Sequence, residues 1–362
     1  MCVWYIINKM ELNIESKRIL KRLLDVKETN MNVADILLYV YQNDIHPSRK
    51  QIQEIIESEN VNETQALYIW LMNELEMNLD DEQNLKLCNK YILGNMHKEE
   101  LSKYMENPYV KAISNVNIKD NNYSLKTLKY DTYQLFPLDD LDVDEKDNFV
   151  EHTPIGYFTS EYQYLALLYK NRIWMSLNPN EINTMEPHIE KAEGDILVLG
   201  LGLGYFPFMS SLKEDVKSIT IIEKDKEIIH LFEKHLINQF PYKSKIKIIE
   251  SDAIEYVKNH HEYDYIFADL WHDALDGINL WYKLKQLERK YSLNISYWLS
   301  NSFYALERRI TLTLLENLNN KDILKLEEFK YYPEVTKRLF EYIKNTDDLL
   351  TNVLSTKSLK NI

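Results

Sequence analysis

Apolar residues fall into three patterns along the chain, and each predicts a different architecture. Through residues 1–118 they recur near a helical period. In ESKRILKRLLDV the apolar positions are 19, 20, 23, 24 and 26, which share one helix face. VADILLYVYQN, RKQIQEIIESEN and ETQALYIWLMNELEM follow, separated by Asn, Pro and Ser. Asn32 or Asn62 can cap a helix, and Pro47 suits a turn before a new helix start. This stretch reads as a helical domain, with residues 1–9 as a tail. Tyr39, Tyr41, Tyr68 and Trp70 are expected in its core.

Between 119 and 180 the pattern changes. LKTLKYDTYQLF and IGYFTSEYQYLALLYKNRIWMSL are rich in Tyr, Phe, Ile and Thr and alternate in places, which predicts short antiparallel strands and hairpins. The acidic segment between them, LDDLDVDEKDNFVEHT, reads as a solvated connection. From 181 to 362 short apolar runs alternate with amphipathic stretches. GDILVL, SITIIE, KIKIIE, YDYIFA and ISYWLS read as strands with helices between them. Alternating strands and helices predict an α/β, Rossmann-like, mostly parallel sheet, here followed by a helical tail that opens with YALERRITLTLLENL.

Composition narrows the function classes. The chain has 362 residues and a formal charge of −14. That balance disfavours duplex DNA and anionic membranes as partners, because phosphate recognition needs clustered cations. Two cysteines, Cys2 and Cys88, cannot build a disulfide framework and suit a reducing cytoplasm. The longest apolar stretch, 196–212, is broken by glycines and serines and is too short to span a bilayer. The N-terminus lacks the pattern of a signal peptide.

Only seven glycines occur, and four of them fall at 194, 200, 202 and 204. Gly200, Gly202 and Gly204 follow a buried strand and precede Pro207, which fits a first helical turn. Such a strand–loop–helix lets the backbone approach a ligand with helix amides facing it. A tight turn without a ligand is the plainer alternative. The spacing lacks the sixth-position glycine of a nicotinamide loop, since Tyr205 stands there, and no Gly-Lys-Ser/Thr follows. Acids then end three successive strands. Glu223 is placed to accept from ribose hydroxyls, Asp252 to meet an adenine amino group, and Asp269 to face the crevice at the carboxyl edge of the sheet. Each can instead cap the helix that follows it.

The order GLGLG, IIEKD, ESDAIEY, YDYIFAD resembles the class I S-adenosylmethionine-dependent methyltransferases, and in particular their spermidine synthase-like branch. Val198 before the glycines and the Glu223-x-Asp225 pair carry that finer likeness, which covers about residues 180–275. The resemblance implies S-adenosyl-L-methionine as cofactor, with Gly200, Gly202 and Gly204 at its methionine part. Glu223 would hold its ribose, and Asp252 with Ala253 its adenine. Two departures separate the chain from polyamine synthases. Asp269 is followed by Leu270, Trp271, His272 and Asp273, and the segment 180–185 keeps Glu181 but lacks a tyrosine. The Pro-Pro-aromatic tetrad of amino-directed nucleic-acid methylases is absent after the fourth strand.

These features set the expected chemistry. Asp269 and His272 are the candidate catalytic residues. His272 can deprotonate an acceptor near neutral pH, and Asp269 can orient the acceptor or take its proton. Trp271 can wall the pocket or stack on a planar group, or else pack in the core. Glu181, Trp271 and Asp273 complete the expected substrate pocket. Asp269, His272 and Asp273 offer metal-type ligands but no third acid at a telling spacing, so no metal is expected. The expected function is methyl transfer to a small-molecule or protein acceptor. Aminopropyl or aminocarboxypropyl transfer, and a non-catalytic binding protein of the same fold, stand as alternatives. A homodimer remains open.

Overall fold

A computed structural model describes residues 14–120, 122–318, 320, 322–345 and 350–361. The tail expected at 1–9, with Cys2, lies outside them. Cys88 is a buried free thiol.

Five parallel strands form the central sheet: Gly194–Leu199, Val216–Glu223, Ile246–Glu250, Tyr265–Ala268 and Ile295–Tyr297. Their spatial order is third, second, first, fourth, fifth. Ile196, Leu197, Val198 and Leu199 are all buried, as a strand covered on both faces requires. The first strand pairs with the second on one side and the fourth on the other, with Val198 opposite both Ile221 and Phe267. Strand order therefore reverses at the first strand, which is where open sheets of this kind form a ligand crevice. This is the Rossmann-like architecture that the alternating pattern predicts.

The pairing runs one residue past the strand ends. Gly200 N donates to Ile222 O at 2.9 Å, Ser251 N to Glu223 O at 3.0 Å and Asp269 N to Leu199 O at 2.9 Å. The loops that follow the first, third and fourth strands thus leave the same edge of the sheet from fixed positions.

The strand-rich segment forms an antiparallel sheet ordered Lys119–Asp120, Tyr123–Tyr130, Tyr162–Tyr169, Arg172–Ser176. Beside it a strand at Met96–Lys98, inside the stretch read as helical, runs parallel to Ile155–Tyr157. The two first helical segments are one helix, Ile14–Gln42. Asn32 is therefore mid-helix, and no Pro or Gly lies in that span to break it. Asn62 does cap Glu63–Glu74, with Gln65 reaching back to complete a capping box. Ser48, after Pro47, caps Arg49–Glu59 in the same way. Tyr68 is buried, and Tyr41 and Trp70 pack against the same cluster, but Tyr39 is 55% exposed.

The acidic segment is a docking element rather than a solvated connection. It folds as a hairpin, Asp142–Asp144 with Val150–His152, and lies against the helix Ser300–Glu316. Glu151, 8% exposed, pairs with Arg309, and Glu145 with Arg308. Asp140 accepts from Asn301 N at 3.0 Å and from the Ser302 hydroxyl, which supplies an N-terminal cap that Leu299, at φ +57°, cannot. Burial raises the Asp140 carboxyl to about 6. The charge run was misleading because its basic partners lie more than 150 residues away in sequence. Arg309→Ala strands the Glu151 carboxylate and is expected to destabilise the protein by about 3 kcal/mol. Urea unfolding midpoints at pH 7 would measure it.

Candidate functional site

A cavity of about 680 Å³ lies over the reversal point of the sheet, within the range of small-molecule sites. The glycine loop forms its floor, and Gly200, Gly202 and Gly204 all border it. The three glycines are needed for different reasons. A Cβ on Gly200 would lie 1.9 Å from the Asp269 carbonyl oxygen, and one on Gly204 would lie 2.4 Å from the Phe232 ring. These two let backbone meet backbone and backbone meet ring. A Cβ on Gly202 would meet only Met175 Sδ, at 3.9 Å. Gly202 is thus the glycine that keeps the cavity floor open. All three have positive φ, at +99°, +54° and +82°.

Residues from outside the resembling region hold this loop. Tyr109, fully buried, donates its hydroxyl to Leu203 O. Asn107 caps Pro108–Ile113 and donates Nδ2 to the Tyr205 hydroxyl at 2.9 Å. Tyr109→Phe leaves a glycine-loop carbonyl without its partner and should cost about 1–2 kcal/mol, read as a lowered Tm. No local motif marks these residues, because the contact spans more than 90 positions.

Glu223 sits at the end of the second strand and is tied to the loop. Its Oε2 accepts from Leu201 N at 3.1 Å, and its Oε1 from Lys224 N and Asp225 N at 2.8 Å. Oε2 retains acceptor capacity towards the cavity. Asp252 is exposed and caps Ala253–Val257 through Oδ1. It and the buried Ala253 also line the cavity, so capping and lining coexist. Asp225 caps the next helix, Lys226–Leu231, from the same wall.

Two further carboxyls, Glu181 and Asp269, border the cavity. Glu181 stands in the first turn of Pro179–Lys191, where its N–H is capped by Asn178. Asp269 follows the fourth strand. Both are half-buried. Burial raises the Asp269 carboxyl to about 7, helped by the negative charge of Glu223. Burial, then the charge of Asp269, pushes Glu181 well above the usual carboxylate range. Both shifts favour the neutral carboxyl over the carboxylate.

The segment after Asp269 divides its duties. Trp271 is 6% exposed, donates Nε1 to Trp298 O at 3.2 Å and meets Phe303 edge-on at 4.8 Å. It is a largely buried wall that also borders the cavity. Its indole lies against Gly277, where a Cβ would come within 2.6 Å of the ring. His272 is exposed at the rim, with its ring edge-on to Trp174 at 4.9 Å. Asp273 caps Ala274–Tyr291 in a capping box with Asp276 and does not border the cavity. That correction has a simple cause: an Asp three residues before another acid at a helix start satisfies orphan amides. Asp276 borders the cavity instead, while accepting from His272 N at 3.1 Å. Asp269, His272 and Asp273 do not converge as metal ligands. Among the described residues only Asp44, His46 and Asp131 bring three such atoms together, far from this site in sequence.

Six carboxylates border the cavity: Glu181, Glu223, Asp225, Asp252, Asp269 and Asp276. Lys224 is the sole Lys or Arg among its described lining residues. Trp174, Met175 and Trp298 also border the cavity, approaching from the antiparallel sheet and from beyond the fifth strand; they fall in the segments 153–185 and 297–308 expected to shape the acceptor pocket, though no motif singles them out.

No protein-family model matches the chain, and none of the curated proteins matches it in sequence. Among solved structures, a spermidine synthase from Thermotoga maritima aligns at 16% identity and a TM-score of 0.30, over 42% of this chain and 59% of its own length. A proposed O-methyltransferase from Klebsiella pneumoniae aligns at 10% identity and a TM-score of 0.27, over 45% and 67%. The chain thus spans less than two thirds of that spermidine synthase.

Proposed function

We propose that the chain is an S-adenosylmethionine-dependent transferase that acts in the cytoplasm on a small-molecule or protein acceptor, with methyl transfer as its reaction. The observation that carries the reading is that the Glu181 and Asp269 carboxyls border the same cavity as an open glycine loop, with Asp269 packed directly beside Gly200. The donor set suits the cofactor. Gly202 leaves room over the loop, Glu223 keeps an acceptor oxygen that would suit a ribose hydroxyl, and Asp252 and Ala253, which line the cavity, would hold the adenine. A net negative cavity also favours a sulfonium. When bound, the cofactor supplies a carbon activated by positively charged sulfur.

The chain's own residues supply orientation and proton handling. Asp269, raised to about 7, accepts a proton near neutral pH better than an ordinary carboxylate does. Glu181, pushed towards its neutral form by burial and the charge of Asp269, can then donate a hydrogen bond to an acceptor atom. His272 stands at the exposed rim against Trp174, so Asp269 is the better placed of the two for proton transfer. The carboxylate-rich wall favours aminopropyl transfer to a cationic amine as the second reading, since several carboxylates suit such an acceptor.

Calorimetric titration with S-adenosylmethionine, S-adenosylhomocysteine and decarboxylated S-adenosylmethionine tests the cofactor. Wild type should bind the first two, and Glu223→Ala should weaken both by about 10–100-fold through lost charged hydrogen bonds. Preference for the decarboxylated compound would move the assignment to aminopropyl transfer. Binding without turnover of any acceptor would leave a binding protein, and no binding would end the cofactor assignment.

A further inference from the structure

Strand Arg172–Ser176 ends the antiparallel sheet and borders the cavity. It pairs with Tyr162–Tyr169 on one side, and no strand covers its other side among the described residues. Residues 173–177 all line the cavity. Its pairing is irregular: Leu168 faces Ile173 while Leu167 faces Met175, so Trp174 is an extra residue in a bulge. A bulge re-aims a side chain, and here Trp174 turns to the His272 ring at 4.9 Å. The Trp174 Nε1 is buried without a hydrogen-bond partner. Met175 lies over Gly202, and Ile173 is 58% exposed. The strand therefore crosses the mouth of the cavity from the rim towards the glycine loop.

An uncovered strand edge offers unpaired backbone groups to an added strand. We propose that Arg172–Ser176 is the docking edge for an extended segment of an acceptor polypeptide, which delivers a lysine-type side chain to the carboxylate wall. Charge selects this occupant. Six carboxylates against the single Lys224 border the cavity and suit a cationic side chain, while the exposed Arg172 marks the outer end of the edge. Four residues of strand span about 13 Å, so the fitting segment carries an acidic residue about four positions from its lysine. The inference rests on the transferase reading only in naming the segment an acceptor; the docking itself does not require it.

The test uses the full chain and a capped peptide of alternating Val and Thr, with one Glu four positions from one Lys. Three companions are measured: Lys replaced by norleucine, N-methylation along one backbone edge, and 1,4-diaminobutane. The expected result is binding of the parent peptide by calorimetry, with slowed amide exchange in 172–176. Norleucine and N-methylation should each weaken binding at least tenfold. Equal binding of the N-methylated peptide, or protection elsewhere, overturns the strand edge. Diaminobutane binding that no peptide competes with overturns the polypeptide. Parallel titration with S-adenosylhomocysteine separates the two claims: cofactor binding without peptide binding ends only this one, and the reverse ends only the transferase reading.

Discussion

Gly200→Ala lowers folding stability by about 3 kcal/mol, whereas Gly202→Ala costs about 1 kcal/mol and Gly202→Leu abolishes cofactor binding. The two glycines lie two residues apart in one loop and share a positive φ, so a motif-level reading treats them alike. Their surroundings differ. The Gly200 Cβ would lie 1.9 Å from a backbone oxygen, that of Asp269, and 3.0 Å from its carbonyl carbon. Neither side can yield. Gly200 N is bonded to Ile222 O and Asp269 N to Leu199 O, both at 2.9 Å, so relief means prising the first and fourth strands apart. At Gly202 the added carbon meets one thioether sulfur at 3.9 Å, and only the left-handed backbone opposes it. A longer side chain there enters the cavity. Thermal unfolding paired with titration of S-adenosylhomocysteine separates the effects. A Gly202→Leu protein that folds and binds as wild type does would remove the ligand from above this loop.

The parallel sheet was legible because its strands are short apolar runs with helical periods between them, and each glycine or acid that ends a strand is a local signal. Glu223 and Asp269 could be placed at the crevice from that alone. Three things were not local. Whether an acid caps or lines a pocket depends on where its helix points: Asp252 does both, while Asp273 only caps. Trp271 reads equally as pocket wall or core, and it is both: Gly277 and Phe303 pack against an indole that also borders the cavity. The grip of Tyr109 on the glycine loop and of Glu151 on Arg309 joins distant segments, which periodicity does not register. The Glu181–Asp269 pairing belongs to the same class. Each carboxylate is ordinary in its own segment, and only the fold makes them compete for one proton.

That competition should appear as a stability gain when function is removed. Asp269→Asn is expected to stabilise the protein by roughly 3 kcal/mol above pH 7 and to lower transfer by about 10²–10⁴-fold. The sign follows from the direction of the shift. Burial raises Asp269 to about 7 in the folded chain, against about 4 when unfolded. Between those values the unfolded chain has released a proton that the folded chain keeps. Folding is therefore unpenalised below pH 4, loses stability as pH rises through the window, and carries the full penalty above 7. Asparagine carries no charge, so its advantage vanishes at pH 4 and is greatest at pH 8. Glu181→Gln is expected to behave differently, because burial and the charge of Asp269 push Glu181 well above the usual carboxylate range and glutamine imitates the neutral form. Transfer near pH 7 should change by less than about tenfold, with the stability gain appearing only at higher pH. Unfolding midpoints of the three proteins at pH 4, 6 and 8 decide the matter. An Asp269→Asn protein no more stable than wild type at pH 8 would mean that Asp269 ionises freely. It would then have no special capacity to take a proton from an acceptor at neutral pH.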